Sequence, residues 1–169
     1  MPELINGLSK ISLLRHFANF HGALGMFSLI FLGAGIVLYF FTTKIKLAVN
    51  WLRLILLGLF INLSLLDIAG LSIYTAYRAE NGPRTILKAS KETAWLHTIV
   101  FEHKEFLAFA PPVLIFTALF IVLKTGDSFG DKQKLNYLRL AVISCLILSL
   151  LFVLIVASEA VLVTKVAPI

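Results

Sequence analysis

The sequence predicts an all-α integral membrane protein, a four-transmembrane-helix up-down bundle with both termini on the same side. Two observations carry this prediction. The chain is 59% hydrophobic and only 14% charged, with a mean hydropathy of +0.94, which lies outside the usual range of soluble domains. It also contains four long apolar runs, each close to the roughly 20 residues that an α-helix needs to cross the hydrocarbon core of a bilayer.

The four predicted spans make up a single membrane domain, residues 1–169. Charged and polar residues at their ends set the predicted bounds, which are 14–43, 51–77, 93–124 and 136–165. Inside the second and fourth spans the acidic residues are Asp67 and Glu159. Charged groups within membrane spans are costly and are retained mainly for function, so these two acids are candidate functional residues.

The connections between spans predict the order of packing. The first and third connections, at about 44–50 and 124–134, are short, which favours antiparallel neighbouring helices. The second connection, 78–92, is longer and contains Asn81-Gly82-Pro83, a strong turn signal.

The third span contains Pro111 and Pro112. Each proline lacks a backbone donor and its ring clashes with the preceding helical turn, so we expect a kink at this point. Because lipid offers no hydrogen bonds to the freed carbonyls, the kinked stretch is expected to face protein.

The cations flank the apolar spans. The 15 Lys and Arg residues divide almost evenly between the two predicted faces of the membrane, so they do not set the orientation of the chain. No basic segment is interleaved with aromatic residues, which predicts lipid headgroups as the partner of these cations and excludes nucleic acid.

Ionisable residues gather at one end of the predicted bundle. Counting about 1.5 Å per residue from the cation at the opposite end of each helix places five of them in one layer about 6 Å thick. We call this layer the polar end; its members are His21, Glu102, His103, Glu105 and Glu159. Asp67 lies a few turns deeper, and Tyr74 shares its face of the second helix, where its hydroxyl is expected to lie near the acids.

Helical spacing predicts which of these side chains face the interior. His21 lies on a stripe with Gly25, Ser28 and Leu32, and small residues on such a stripe favour close helix packing, so His21 is expected to point inward. Two further histidines, His16 and His97, lie beside Arg15 and Trp95 and are expected to be simple residues of the membrane interface.

His21 and His103 open the first and third spans, which lie diagonally across an up-down bundle. In this respect the chain resembles four-helix membrane b-type cytochromes, in which paired helix histidines clamp haem within the bundle. The resemblance implies haem b as the cofactor, with His21 and His103 as its axial ligands.

Three other interpretations stay open. The first is a non-haem transition metal ion held by imidazole and carboxylate ligands, drawn from His21, His103, Glu102, Glu105 and Glu159. The second is a proton or ion path through Asp67, Glu159 and Tyr74, in a proton-conducting or transporter subunit. The third is a structural or assembly subunit without a cofactor.

The sequence therefore predicts a multi-pass protein of the cell membrane with a redox or metal cofactor near one membrane face. An electron-transfer subunit is a candidate role for such a protein. Its expected partners are the lipid bilayer and either other membrane subunits or a second copy of the chain. Enzymatic activity stays open. A hydrolase is not expected, because no serine or cysteine nucleophile lies in a recognisable motif.

Overall fold

The protein is all-α, as the sequence predicts. The structure, a computed structural model, describes the backbone of residues 2–166 and their side chains except those of 2–14, 132 and 134. Within residues 2–166 it contains no β-strand. Four helical segments are long and apolar enough to cross a membrane: Arg15–Phe41, Lys46–Tyr77, Leu96–Gly130 and Leu135–Val166.

The helices follow one another with short connections. The α-helices are α1 (Pro2–Phe41), α2 (Lys46–Tyr77), α3 (Pro83–Ala89), α4 (Glu102–Ala108), α5 (Ala110–Thr125) and α6 (Lys132–Val166). A π-helix, Leu96–Phe101, precedes α4, and a 3-10 helix, Gly126–Gly130, follows α5. The third span thus consists of the π-helix, α4, α5 and the 3-10 helix.

Three helices begin earlier than the spans predicted from the sequence; α6 starts at Lys132. α1 starts at Pro2, where proline is well suited to the first helical turn because its missing N–H would have no helical partner. α2 starts at Lys46, because Val49 and Leu52 fall at helical spacing and are both buried in the core.

The spans form a ring in which each packs mainly on its two neighbours. α1 packs on α2, α2 on α5, α5 on α6, and α6 returns to α1. The first and third spans therefore lie diagonally, as predicted for an up-down bundle. Fully buried apolar side chains fill the interior; the largest include Leu32, Leu52, Leu56, Leu59, Ile115 and Leu146.

The outer surface of the bundle is strongly apolar. Large side chains such as Ile30, Phe40, Leu54 and Val113 are more than half exposed along the spans. A soluble protein rarely exposes apolar area on this scale, whereas acyl chains solvate it well. These features fit a multi-pass membrane protein.

The third span is broken where the prolines predict it. α4 ends at Ala108, Phe109 lies between the two helices, and α5 carries Pro111 and Pro112 in its first turn. Pro111 is buried and Pro112 is half-buried, so the prolines face protein as expected, whereas Phe109 at the break is 51% exposed. Beyond the break, α4 packs mainly on α6.

A buried arginine closes the end of the bundle opposite the histidines. Arg139 Nη1 donates hydrogen bonds to the Phe129 carbonyl at 2.6 Å and to Thr42 Oγ1 at 2.9 Å. Its guanidinium also lies over the rings of Tyr39 and Phe129, at 4.8 and 5.0 Å. Arg139 thereby fixes the 3-10 helix against α1, and Gly126 supplies the positive φ of 58° with which that turn begins.

Candidate functional site at the polar end

The polar end of the bundle contains two histidines held by neighbouring helices. His21 of α1 contacts α2, and His103 of α4 contacts α6. The two contacts involve the same ring atom, Nδ1, and both partners are oxygen atoms. The two halves of the bundle thus orient one histidine each in the same way.

His21 is half-buried and its Nδ1 lies 3.0 Å from the Leu66 carbonyl oxygen. The imidazole packs on Gly70, where an added Cβ would lie 3.2 Å from the His21 Cε1 atom. A side chain at Gly70 would therefore push the ring out of place. One turn further along α1, a Cβ built on Gly25 meets no atom within 4 Å.

His103 forms a short hydrogen bond with Glu159. Its Nδ1 lies 2.6 Å from Glu159 Oε1, and the two side chains are 54% and 15% exposed. The second carboxylate oxygen, Oε2, is buried and has no hydrogen-bond partner among the described residues. Glu159 therefore orients His103 and keeps one unused acceptor inside the bundle.

Lys104 links these groups electrostatically. Its ammonium is close enough to Glu105 and Glu159 to attract both carboxylates, and it acts on His21 as well. It also lies 5.1 Å from the centre of the Phe101 ring. Lys104 does not stand out in the sequence, because a lysine between acidic residues near a membrane interface is common and its role depends on the helix rotation.

Glu105 faces α2 rather than the two histidines. Its carboxylate lies 3.9 Å from Arg78 and interacts with the Tyr74 hydroxyl. Arg78 in turn stacks over the Tyr74 ring at 4.5 Å. The expected proximity of Tyr74 to an acid is thus observed, with Glu105 as that acid. Glu102 is exposed, and its carboxylate forms no ion pair with a described residue.

The expected metal-ligand set does not assemble in the described part of the chain. Among these residues no group of three or more His, Cys, Asp or Glu side chains is placed so that it could hold a metal ion. The carboxylates diverge, since Glu105 pairs with α2, Glu159 with His103, and Glu102 points outward.

The expectation for His97 is wrong. His97 is 1% exposed and its Nδ1 lies 2.9 Å from the Tyr77 hydroxyl, within a stack in which the Tyr77 and Phe101 rings are 3.8 Å apart. The π-helix explains the error, because its wider turn rotates the side chains away from the positions that α-helical spacing predicts. His16 is exposed, as expected of an interface residue.

Asp67 lies deeper in the second span and is half-buried. It forms no hydrogen bond or ion pair with any described residue. Ser64 donates instead to the Phe60 carbonyl. An unpaired carboxyl group at membrane depth is costly, which makes Asp67 a second candidate position.

Ring contacts locate Asp67 relative to the third span. The Phe60 and Phe116 rings are 5.5 Å apart, and those of Tyr74 and Phe101 are 6.3 Å apart. Asp67 lies midway between Phe60 and Tyr74, about two turns from each and therefore on the same face of α2. The corresponding midpoint of the third span is the break between α4 and α5.

Beyond this depth the interior becomes apolar. Asn62 donates to the Leu24 carbonyl at 2.9 Å and to Ser28 Oγ at 2.8 Å. From there to Arg139 the core contains mainly leucine, isoleucine and valine side chains, and the Ser149 hydroxyl within it is buried without a partner in the described residues. We call this region the leucine layer.

No protein-family model, no curated protein and no solved structure matches the chain. The fold and composition define its class: an all-α protein with four helices able to cross a membrane.

Proposed function

We propose that this chain is an electron-transfer protein of the cell membrane that binds b-type haem at its polar end, with His21 and His103 as axial ligands. One observation carries the proposal: both histidines have Nδ1 engaged by an oxygen of the neighbouring helix. Metal-ligating histidines characteristically donate their second ring N–H to a carbonyl or carboxylate in this way.

The hydrogen bonds define which nitrogen of each ring is the donor. A backbone carbonyl has no proton to give, so His21 Nδ1 must be the donor to Leu66. An ionised carboxylate likewise only accepts, so His103 Nδ1 donates to Glu159. In a neutral imidazole the other nitrogen, Nε2, then carries a free lone pair, which is the form that binds iron.

The surroundings of the two rings support the same function. The first and third spans are diagonal, so His21 and His103 would hold the group from two helices that are not direct neighbours in the ring. A Cβ at Gly25, one turn from His21, would meet no atom within 4 Å, and His103 is half-exposed. A non-haem ion needs three or more donors at one point, which the described residues do not supply, whereas haem needs only two.

Haem supplies one-electron chemistry through its iron. The protein residues have separate tasks. Leu66 and Glu159 hold the imidazoles, Gly70 leaves room for the His21 ring, and Lys104 places a positive charge beside them. Electrons must come from and go to other redox centres, so the proposed partners are membrane subunits or a second copy of the chain.

An optical spectrum of the protein purified from haem-supplied cells tests this function. We expect a sharp reduced-minus-oxidised haem signal that His21→Ala and His103→Ala each abolish. His16→Ala is the matched control, because His16 is exposed on the same helix as His21, and it should leave the signal unchanged. A colourless wild-type protein, or a signal retained in both variants, would overturn the proposal.

A second candidate function rests on Asp67. An unpaired carboxyl group lies at the depth of the helix break, where the Ala108 carbonyl loses the amide donor that Pro112 lacks. Oxygen atoms freed at such breaks bind protons or monovalent cations in transporters. We propose on this basis that Asp67, with Glu159 and Tyr74 nearer the polar end, serves a proton- or ion-carrying subunit.

Flux measurements distinguish this second function from the first. The chain reconstituted in liposomes with an enclosed pH dye should pass protons, and Asp67→Asn should abolish that flux. Glu80→Gln removes an exposed acid outside the spans and is the control. Because the leucine layer separates Asp67 from the opposite end, transport also requires a rearrangement of the bundle. Equal flux in wild-type and Asp67→Asn liposomes would rule it out.

A further inference from the structure

The connection between the second and third spans carries a basic groove. This open groove of about 340 Å³ is lined by four residues of α3: Arg84, Thr85, Lys88 and Ala89. Arg84 and Lys88 are one helical turn apart, so their side chains lie on the same face of α3. The groove therefore presents two cations side by side.

These cations lack acidic partners in the structure. Neither Arg84 nor Lys88 forms an ion pair with a described residue, and the Arg84 Nε atom is buried without a hydrogen-bond partner among them. Arg78 lies nearby, since Arg78, Arg84 and Lys88 all act electrostatically on His97. Of these three cations, only Arg78 is paired with Glu105, at 3.9 Å.

The donor set suits a phosphate group. A guanidinium offers a planar fork of N–H donors and a lysine adds a point charge, which together match the oxygens of a phosphomonoester or phosphodiester. A buried guanidinium N–H without an acceptor costs free energy that such an oxygen would recover.

The groove lies where a lipid would supply that phosphate. Ile86 of α3 is 52% exposed and Trp95, just before the third span, is 48% exposed. Thr93 Oγ1 donates to the Leu87 carbonyl at 2.8 Å and ties the segment around Trp95 to α3. Exposed tryptophan and aliphatic side chains beside paired cations are typical of a membrane interface.

We propose that Arg84 and Lys88 bind the phosphate of an anionic phospholipid, with Trp95 against its acyl chains. The site is separate from the histidines and does not depend on the function proposed for them. It gives the loop between the second and third spans a binding role: the loop holds a specific headgroup at the surface of the bundle.

Tryptophan fluorescence gives a direct test. The chain has two tryptophans, so a Trp51→Phe background leaves Trp95 as the reporter. The full chain in this background is reconstituted in vesicles of phosphatidylcholine containing brominated phosphatidylglycerol or, in a parallel series, brominated phosphatidylcholine. Quenching of Trp95 by the anionic lipid should exceed quenching by the zwitterionic lipid, with a relative binding constant of about 30 for two cations.

The variants decide the outcome. Arg84→Gln with Lys88→Gln should reduce the preference to about one, whereas Arg84→Lys with Lys88→Arg should retain most of it. Lys44→Gln with Lys46→Gln, at the other end of the bundle, is the charge-matched control and should leave it unchanged. Circular dichroism of each variant verifies that its helical content equals that of the parent.

Three results would overturn the inference. One is an equal preference for the anionic lipid in the Arg84→Gln, Lys88→Gln variant and in its parent. Another is displacement of the brominated anionic lipid by inorganic phosphate at millimolar concentration, which would identify a soluble anion as the ligand. Wild-type quenching without any lipid preference counts against the site in the same way.

Discussion

His103 and Glu159 are 56 positions apart in the chain, and their side chains meet at 2.6 Å between Nδ1 and Oε1. This contact joins the third and fourth spans at the polar end of the bundle. A bond of that length between an imidazole and a carboxylate is charge-assisted and directional. It fixes the plane of the His103 ring before any ligand arrives.

Removal of the Glu159 carboxylate should therefore weaken haem binding without removing a ligand. Loss of such an outer hydrogen bond typically costs about 10- to 100-fold in metal affinity. We expect Glu159→Leu to show a loss of this size in a haem titration followed by absorbance. Glu159→Gln keeps an acceptor oxygen and should lose less. Unchanged affinity in Glu159→Leu would show that His103 is not a ligand.

Gly70→Ala should disturb His21, because the new Cβ would lie 3.2 Å from the imidazole Cε1 atom. Gly58→Ala, on the same helix with no atom within 4 Å of its Cβ, is the matched control. Alanine in place of a mid-helix glycine stabilises by about 0.5–1 kcal/mol, so Gly58→Ala should raise the thermal midpoint in detergent. Gly70→Ala should fall short of that gain and lower haem occupancy; identical behaviour of the two variants would contradict the observed packing.

Arg139→Gln should destabilise the bundle while leaving the polar end intact. It removes two hydrogen bonds and leaves the buried Phe129 carbonyl without its donor, at a cost of about 2–3 kcal/mol. Arg53→Gln, at the same end, breaks an ion pair with the 89% exposed Asp127 side chain, and such pairs contribute about 1 kcal/mol or less. Thermal unfolding in detergent compares the two variants, and equal midpoints would be inconsistent with a structural role for Arg139.

Gly82→Ala should destabilise the loop that carries α3. A Cβ at this position would approach the Ala76 and Tyr77 carbonyl oxygens to 2.5 and 2.7 Å, and backbone atoms cannot move aside as a side chain can. Overpacking of this kind costs about 1–3 kcal/mol. Gly33→Ala, where a Cβ meets nothing within 4 Å, is the control. Protease cleavage of the loop should rise in Gly82→Ala only; equal cleavage in both variants would refute the close approach.

The fold was predictable from local sequence, because the length and hydropathy of a segment are enough to identify a membrane span. Asp67 and Glu159 stood out as acids in apolar runs, and Pro111 with Pro112 located the break in the third span. These signals depend only on neighbouring residues and on the physics of lipid. The diagonal arrangement of the first and third spans followed from the short connections.

Which side chains pair with one another was not predictable in the same way, because the pairing depends on how each helix is rotated about its axis. Glu105 turns toward Arg78, and Glu159 toward His103, although both acids lie in the same predicted layer. The π-helix adds a local rotation that buries His97 against Tyr77, and no signal in the sequence marks it. Lys104 became visible as a link between Glu159 and His21 only in three dimensions.

The leucine layer has an electrical consequence. It spans about 15 Å along α6 between Ser149 and Arg139 and is filled with fully buried apolar side chains such as Leu146 and Val142. In a bilayer most of a transmembrane voltage, worth about 2.3 kcal/mol per elementary charge at 100 mV, would fall across this dry segment. Charges at the polar end equilibrate with the adjacent aqueous phase and experience little of it. Redox or proton exchange there is therefore expected to be nearly independent of membrane potential.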